Sequence, residues 1–157
     1  MKAFFAFLTV VLCAAPSLAG EAGRDLYVAG KYDQAMRLGA ETNDATDLVF
    51  AARAALAAAT TRACIACLDQ AMAFTRRAIA ADPKRPEAHI FLAVALGEQA
   101  RRKGIVLARL RGDPTRAKAE LDTARALDPH NALGLAAMGG WNIEIVRVGG
   151  PRLAKWL

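Results

Sequence analysis

The chain has 157 residues, about one domain's worth, with a net charge of +6 and 55% hydrophobic side chains, 37 of its residues being alanine. Glycine and proline are too sparse for a collagen-like or low-complexity chain, and the chain is too apolar to be disordered. No stretch alternates at period two for long, so an all-β fold is excluded.

Met1-Lys2 sets one positive charge ahead of the apolar run Ala3 to Ala15, which Pro16 breaks. Ser17-Leu18-Ala19 then puts small residues at both cleavage-specifying positions. This is the order of a secretory signal peptide, cleaved after Ala19, with residues 1–19 as leader and residues 20–157 as the mature domain. The run is short of the ~20 residues that a membrane-spanning helix needs. Lipidation of Cys13 fits less well than cleavage, because Leu12 rather than a small residue precedes it. The alanine- and arginine-rich usage is that of a bacterial chain, so the expected address is the periplasm or the exterior. The only serine, Ser17, leaves with the leader, which excludes a serine-nucleophile hydrolase.

Helical periodicity fills the rest. A first segment, about Glu21 to Ala29, stops at Gly30, and a second, about Tyr32 to Glu41, ends in Thr42-Asn43-Asp44. A third spans about Ala45 to Ala59. A fourth, about Cys64 to Ala81, is stopped by Asp82-Pro83. Pro86 sits where a first helical turn tolerates proline and opens a fifth segment reaching toward Leu110. Gly112-Asp113-Pro114 reads as a stop, an N-cap and an N1 proline. The sixth segment ends at Asp128-Pro129. Asn131 caps a seventh that fades at Gly149-Gly150-Pro151. About seven amphipathic helices with short connections define an all-α bundle or hairpin array.

Internal repetition chooses the array. Ala78-Ile79-Ala80-Ala81-Asp82-Pro83 recurs as Ala124-Arg125-Ala126-Leu127-Asp128-Pro129, each copy followed by a new apolar helix. These residues resemble the tetratricopeptide repeat, a 34-residue helix-turn-helix unit. Glu87 to Leu96 matches its first helix, with Leu92-Ala93 in the Leu-Gly slot. Ala117, Leu121, Ala124 and Pro129 match its second helix, as do Ala71, Ala78 and Pro83 one unit earlier. Gly23, Leu26, Gly30, Tyr32 and Ala35 fit a first unit. The resemblance implies an α-solenoid of about four units, the last incomplete. Pro83 and Pro129 lie farther apart than one repeat by about 12 residues, an excess falling near Gln99 to Gly112. From about His89 onward the chain also resembles the regulator-of-microtubule-dynamics type of tetratricopeptide protein. Asp128-Pro129, Met138-Gly139-Gly140-Trp141 and Pro151-Arg152-Leu153-Ala154-Lys155-Trp156 carry that likeness. It does not bring a microtubule role to an exported bacterial chain.

Few residues invite chemistry. Cys64-Ile65-Ala66-Cys67 can be a disulfide, a redox pair or half of a metal site. Leu68 stands where haem attachment needs histidine, and a zinc site lacks further ligands, His89 and His130 being far apart. A thioredoxin-like role lacks its βαβ context. In an oxidising compartment the plain reading is a disulfide stapling the turn between the third and fourth helices. Arg101, Arg102, Lys103, Arg109, Arg111, Arg116 and Lys118 form a basic cluster suited to an anionic surface or acidic protein, or else a solvated face with Glu98 and Arg102 as an i,i+4 pair. Export and the lack of interleaved aromatics exclude nucleic acid. Trp141 and Trp156 read as core residues or interfacial anchors. Carried over by repeat position, a partner groove includes Glu87, Ile90, Val94, Gly97, Glu98, Leu133, Ala136 and Gly140. The expectation is a non-catalytic scaffold, without cofactor or metal, that binds a protein or peptide or associates with itself. The alternatives are a ligand-binding accessory of a periplasmic transport system and a thiol-disulfide redox protein.

Overall fold

A computed structural model describes residues 20–154. The leader through Ala19 and residues 155–157, including Trp156, lie outside the described residues. Among the described residues eight helices follow one another: α1 (Glu21–Val28), α2 (Tyr32–Glu41), α3 (Ala45–Thr61), α4 (Ile65–Ala81), α5 (Pro86–Lys103), α6 (Ile105–Leu110), α7 (Asp113–Leu127) and α8 (Ala132–Ala154). No strand occurs among the described residues, and none of their helices is long and apolar enough to cross a membrane.

Local chemistry sets most of the boundaries. Gly30 takes φ +70°, and the Lys31 N–H behind it reaches the Leu26 carbonyl at 2.9 Å, a Schellman ending for α1. Asp44 caps α3, its carboxylate accepting the N–H groups of Thr46 at 2.8 Å and Asp47 at 3.0 Å. Asn131 caps α8, accepting the Gly134 N–H at 3.1 Å.

Three boundaries differ from the sequence expectation. The fifth segment divides at Gly104, whose φ of +80° leaves the helical region, so eight helices stand in place of seven. The excess near Gln99 to Gly112 is therefore a short extra helix, α6, between α5 and α7. Gly112, at φ +69°, occupies the N-cap of α7, while Asp113 begins the helix and is buried. Finally, α8 continues through Gly149-Gly150-Pro151 to Ala154.

The helices stack as antiparallel hairpins, since the connections are too short for anything else. Helix α1 packs on α2 and α3, α3 on α4 and α5, and α5 on α7 and α8. One layer therefore runs α1, α3, α5, α8, with α2, α4 and α7 seated against its successive members. Helix α3 lies at the centre and is buried nearly all round, its contacts made by Ala51, Ala52, Ala55, Ala58 and Ala59. Small residues let helix axes approach, and Leu48, Leu68, Phe74, Leu92 and Leu121 fill the spaces between the crossings.

Polar ties cross the stack. The buried Asp47 carboxylate accepts the Gly23 N–H at 2.9 Å, holding α1 to α3. Arg77 of α4 donates to the Gly39 carbonyl at 2.8 Å and also to Thr42, closing the C-terminus of α2. Arg102 does the same for α3, donating to the Ala59 carbonyl at 2.7 Å. His89 is buried, with Nδ1 2.7 Å from Glu120 of α7 and Nε2 3.1 Å from the Pro83 carbonyl, the packing role its repeat position suggests.

Candidate functional site

Where α8 leans across α5 and α7, a cleft of about 290 Å³ remains. Ala93 of α5, Leu121 of α7 and Ala137 and Trp141 of α8 form its apolar wall. Val94, Gly97 and Gly140 line it too, and Glu98, Arg101 and Glu144 add its charges. Trp141 is half-buried and fixed at its polar edge, its indole N–H donating to the Pro114 carbonyl at 3.3 Å. The Lys118 ammonium lies 5.8 Å from the ring centroid. Trp141 therefore packs against the core, one of the two expected roles, and also presents surface to the cleft.

The charges along the cleft alternate. Glu98 pairs with Arg101, and Glu144 receives both Arg147 donors, at 2.6 and 3.0 Å. The Arg147 hydrogen bonds hold the Glu144 carboxyl below the ordinary carboxylate range. Burial opposes this, and the charges of Arg147 and Arg101 add to it.

Of the groove expected by repeat position, Val94, Gly97, Glu98 and Gly140 come together in this cleft. Ile90 does not belong to it: the side chain is fully buried, and a Cβ added at Gly134 of α8 would lie 3.4 Å from its Cδ1. Glu87 instead accepts a hydrogen bond from Asn131 at 3.2 Å, bracing the start of α8. Leu133 and Ala136 are exposed on α8 but lie outside the cleft lining.

Four side chains of the basic cluster have partners within the chain. Arg101 turns to Glu98 and the cleft, whereas Arg102 is taken up by the Ala59 carbonyl, so the expected Glu98–Arg102 pair is replaced by an i,i+3 pair. Lys118 binds Asp122 at 2.7 Å, and Arg116 lies 4.0 Å from Asp113. Lys103 and Arg111 are exposed. The side chain of Arg109 lies outside the described residues. These partners favour a solvated, internally paired face.

Sequence spacing missed a second feature of the same layer. The Arg53 guanidinium of α3 lies over three rings, 4.4 Å from the Tyr27 centroid, 5.2 Å from Phe50 and 5.3 Å from Phe91. Three helices supply the rings, so no local motif announces it. Among the described residues no carboxylate pairs with it (the ion pairs involve other groups).

Cys64 and Cys67 have their sulfurs at disulfide distance, 2.05 Å. The pair lies at the start of one helix: Cys64 is the N-cap of α4, and its Sγ accepts the Cys67 N–H at 3.2 Å. It therefore ties the last residue of the α3–α4 connection to the first turn of α4. Among the described residues no three metal-ligating side chains converge.

Neither the protein-family models nor the curated proteins include a match to this chain.

Proposed function

We propose that the chain is an exported interaction module of the tetratricopeptide type, whose cleft between α5 and α8 docks, without turnover, a helix or extended peptide of a partner protein. Gly97 and Gly140 carry the reading. A glycine inside a helix costs roughly 0.5–1 kcal/mol relative to alanine. At Gly23 and Gly39 the chain's own packing gives a reason, since a neighbouring side chain occupies the place of the missing Cβ. At Gly97 and Gly140 a Cβ would meet nothing within 4 Å, yet both residues line one cleft. A partner backbone packing closely there supplies a reason that the chain itself does not.

Other observations support the same reading. The hairpin stack and the two Asp-Pro stops fit the tetratricopeptide assignment, and Met1 to Ala19 supports export. A volume of about 290 Å³ lies at the lower bound, about 300 Å³, for sites that enclose small molecules. That favours a polypeptide lying along the cleft over the enclosed ligand of a transport accessory.

A peptide-display selection against the protein carrying Trp156→Phe tests the proposal, because Trp141 is then the sole tryptophan. Selected peptides should shift Trp141 emission saturably. A selection that enriches nothing, or peptides that leave the emission unchanged, would count against the cleft. A peptide-independent rise in molecular mass by light scattering would reassign the surface to self-association.

A further inference from the structure

The Cys64–Cys67 pair is built asymmetrically. Cys64 is half-exposed, Cys67 is buried, and the intervening Ile65 and Ala66 stand in solvent, Ile65 with 73% of its surface open. Cys64 occupies the N-cap of the 17-residue α4, whose first turn contains no acidic residue. The Cys67 N–H already points at Cys64 Sγ. Helix N-termini stabilise anions through unpaired N–H groups and the macrodipole, and a thiolate so placed has a lowered pKa. Stabilising the reduced form makes a disulfide a stronger oxidant. Immediately before the pair, Ala63 is held at φ +51°, an unfavourable conformation for a side-chain-bearing residue. The bond joins the N-cap and the first turn of one helix.

From this arrangement we propose that Cys64–Cys67 is a thiol–disulfide exchange site that oxidises dithiols of polypeptide substrates, in addition to the binding function of the cleft. A substrate thiolate attacks the accessible Cys64 Sγ. The Cys64–Cys67 bond breaks, and its electron pair leaves on Cys67, which takes up a proton. The product is a mixed disulfide between substrate and Cys64. A second substrate thiolate then attacks the substrate sulfur of that mixed disulfide, forming the substrate's own disulfide and releasing Cys64 as a thiolate. Two electrons pass from the substrate dithiol to the Cys64/Cys67 pair. Exchange with the disulfide of a second protein or of oxidised glutathione, by the reverse steps, restores the site. Ile65, exposed between the sulfurs in sequence, offers the approaching chain an apolar contact.

The test uses the full chain with Cys13→Ala, so that only two cysteines remain. Equilibrated in glutathione redox buffers and alkylated after acid quench, the pair should interconvert between dithiol and disulfide within the millimolar range of reduced glutathione. With Cys67→Ala added, Cys64 should react with iodoacetamide at pH 6 at least tenfold faster in the folded than in the urea-unfolded protein, and should trap a mixed disulfide with a synthetic disulfide peptide. With Cys64→Ala, the buried Cys67 should do neither. A pair that stays oxidised at a large excess of reduced glutathione overturns the proposal. So does a Cys64 no more reactive folded than unfolded. Circular dichroism of the Cys64→Ala/Cys67→Ala double variant separates loss of chemistry from loss of fold, and a helical double variant is expected.

Discussion

Gly39 of α2 tests the packing most sharply, because the substitution there sets two known effects against each other. A Cβ built on Gly39 lies 2.2 Å from Ala51 Cβ of α3 and 3.2 Å from Phe74 Cε1 of α4. Carbon atoms settle at about 3.5–4.0 Å, so Gly39→Ala must push α2 away from α3 by more than an ångström. Overpacking of this kind costs about 1–3 kcal/mol. Against it, alanine is favoured over glycine in a helix by about 0.8–1.0 kcal/mol. The neighbours at Gly39 are a rigid Cβ on a buried helix and a buried ring, with no flexible end to yield, which puts the cost in the upper part of that range, about 2–3 kcal/mol, and the net loss at roughly 1–2 kcal/mol. The shift also strains the Arg77 hydrogen bond to the Gly39 carbonyl. For a domain of this size that corresponds to about 4–8 °C in melting temperature, read by circular dichroism. Ala51→Gly alone loses helix propensity, but combined with Gly39→Ala it moves the methyl group across the interface. The double variant should therefore be more stable than the sum of the singles by about 1 kcal/mol or more. A Gly39→Ala protein that melts higher than the parent, or a double variant that is simply additive, would refute the close α2–α3 crossing.

Gly97→Ala should do the opposite and raise the melting temperature, adding about 0.5–1 kcal/mol, since nothing lies within 4 Å of its Cβ position; a fall in stability would mean that the cleft is closed in solution. Asp47→Ala leaves the Gly23 N–H without its acceptor and should cost about 1–3 kcal/mol, whereas Asp47→Asn keeps an acceptor oxygen and should cost less, both by urea denaturation. Asp44→Ala removes the α3 cap and should cost about 1 kcal/mol in the same assay. Arg147→Ala should raise the Glu144 titration midpoint, followed by NMR, because hydrogen bonding from Arg147 is what lowers it. The pairing of Glu144 with Arg147 is therefore complete above the ordinary carboxylate range and is lost as pH falls through the lowered midpoint.

Much of the architecture was legible because the chain marks its helix ends with residues of fixed physical meaning. Gly30, Asp44, Pro86, Asn131 and the two Asp-Pro stops all act where the sequence puts them. The Gly104 break was hidden because apolar residues resume at Ile105 in helical rhythm, and only the positive φ of the glycine separates the two helices. Gly149-Gly150 misled in the other direction: glycine weakens a helix but keeps its N–H, so a pair need not end one.

The candidate site was legible only in part. Neighbouring cations in the chain need not act together: successive helical residues differ by about 100° around the axis, which sends Arg101 to the cleft and Arg102 to the end of α3. Ile90 was placed in a groove by repeat position, but its side chain is fully buried. The Arg53 cluster and the role of Trp141 in the cleft depend on helices far apart in sequence, for which spacing carries no signal.

The central claim is that Gly97 and Gly140 keep a cleft open for a partner polypeptide. Its most direct test measures two quantities on Gly97→Leu and Gly140→Leu: the melting temperature, and the dissociation constant for a display-selected peptide read by Trp141 emission. Stability that is unchanged or raised, with affinity at least tenfold weaker, is the predicted result. Affinity unchanged in both variants, with the fold intact, would contradict the claim.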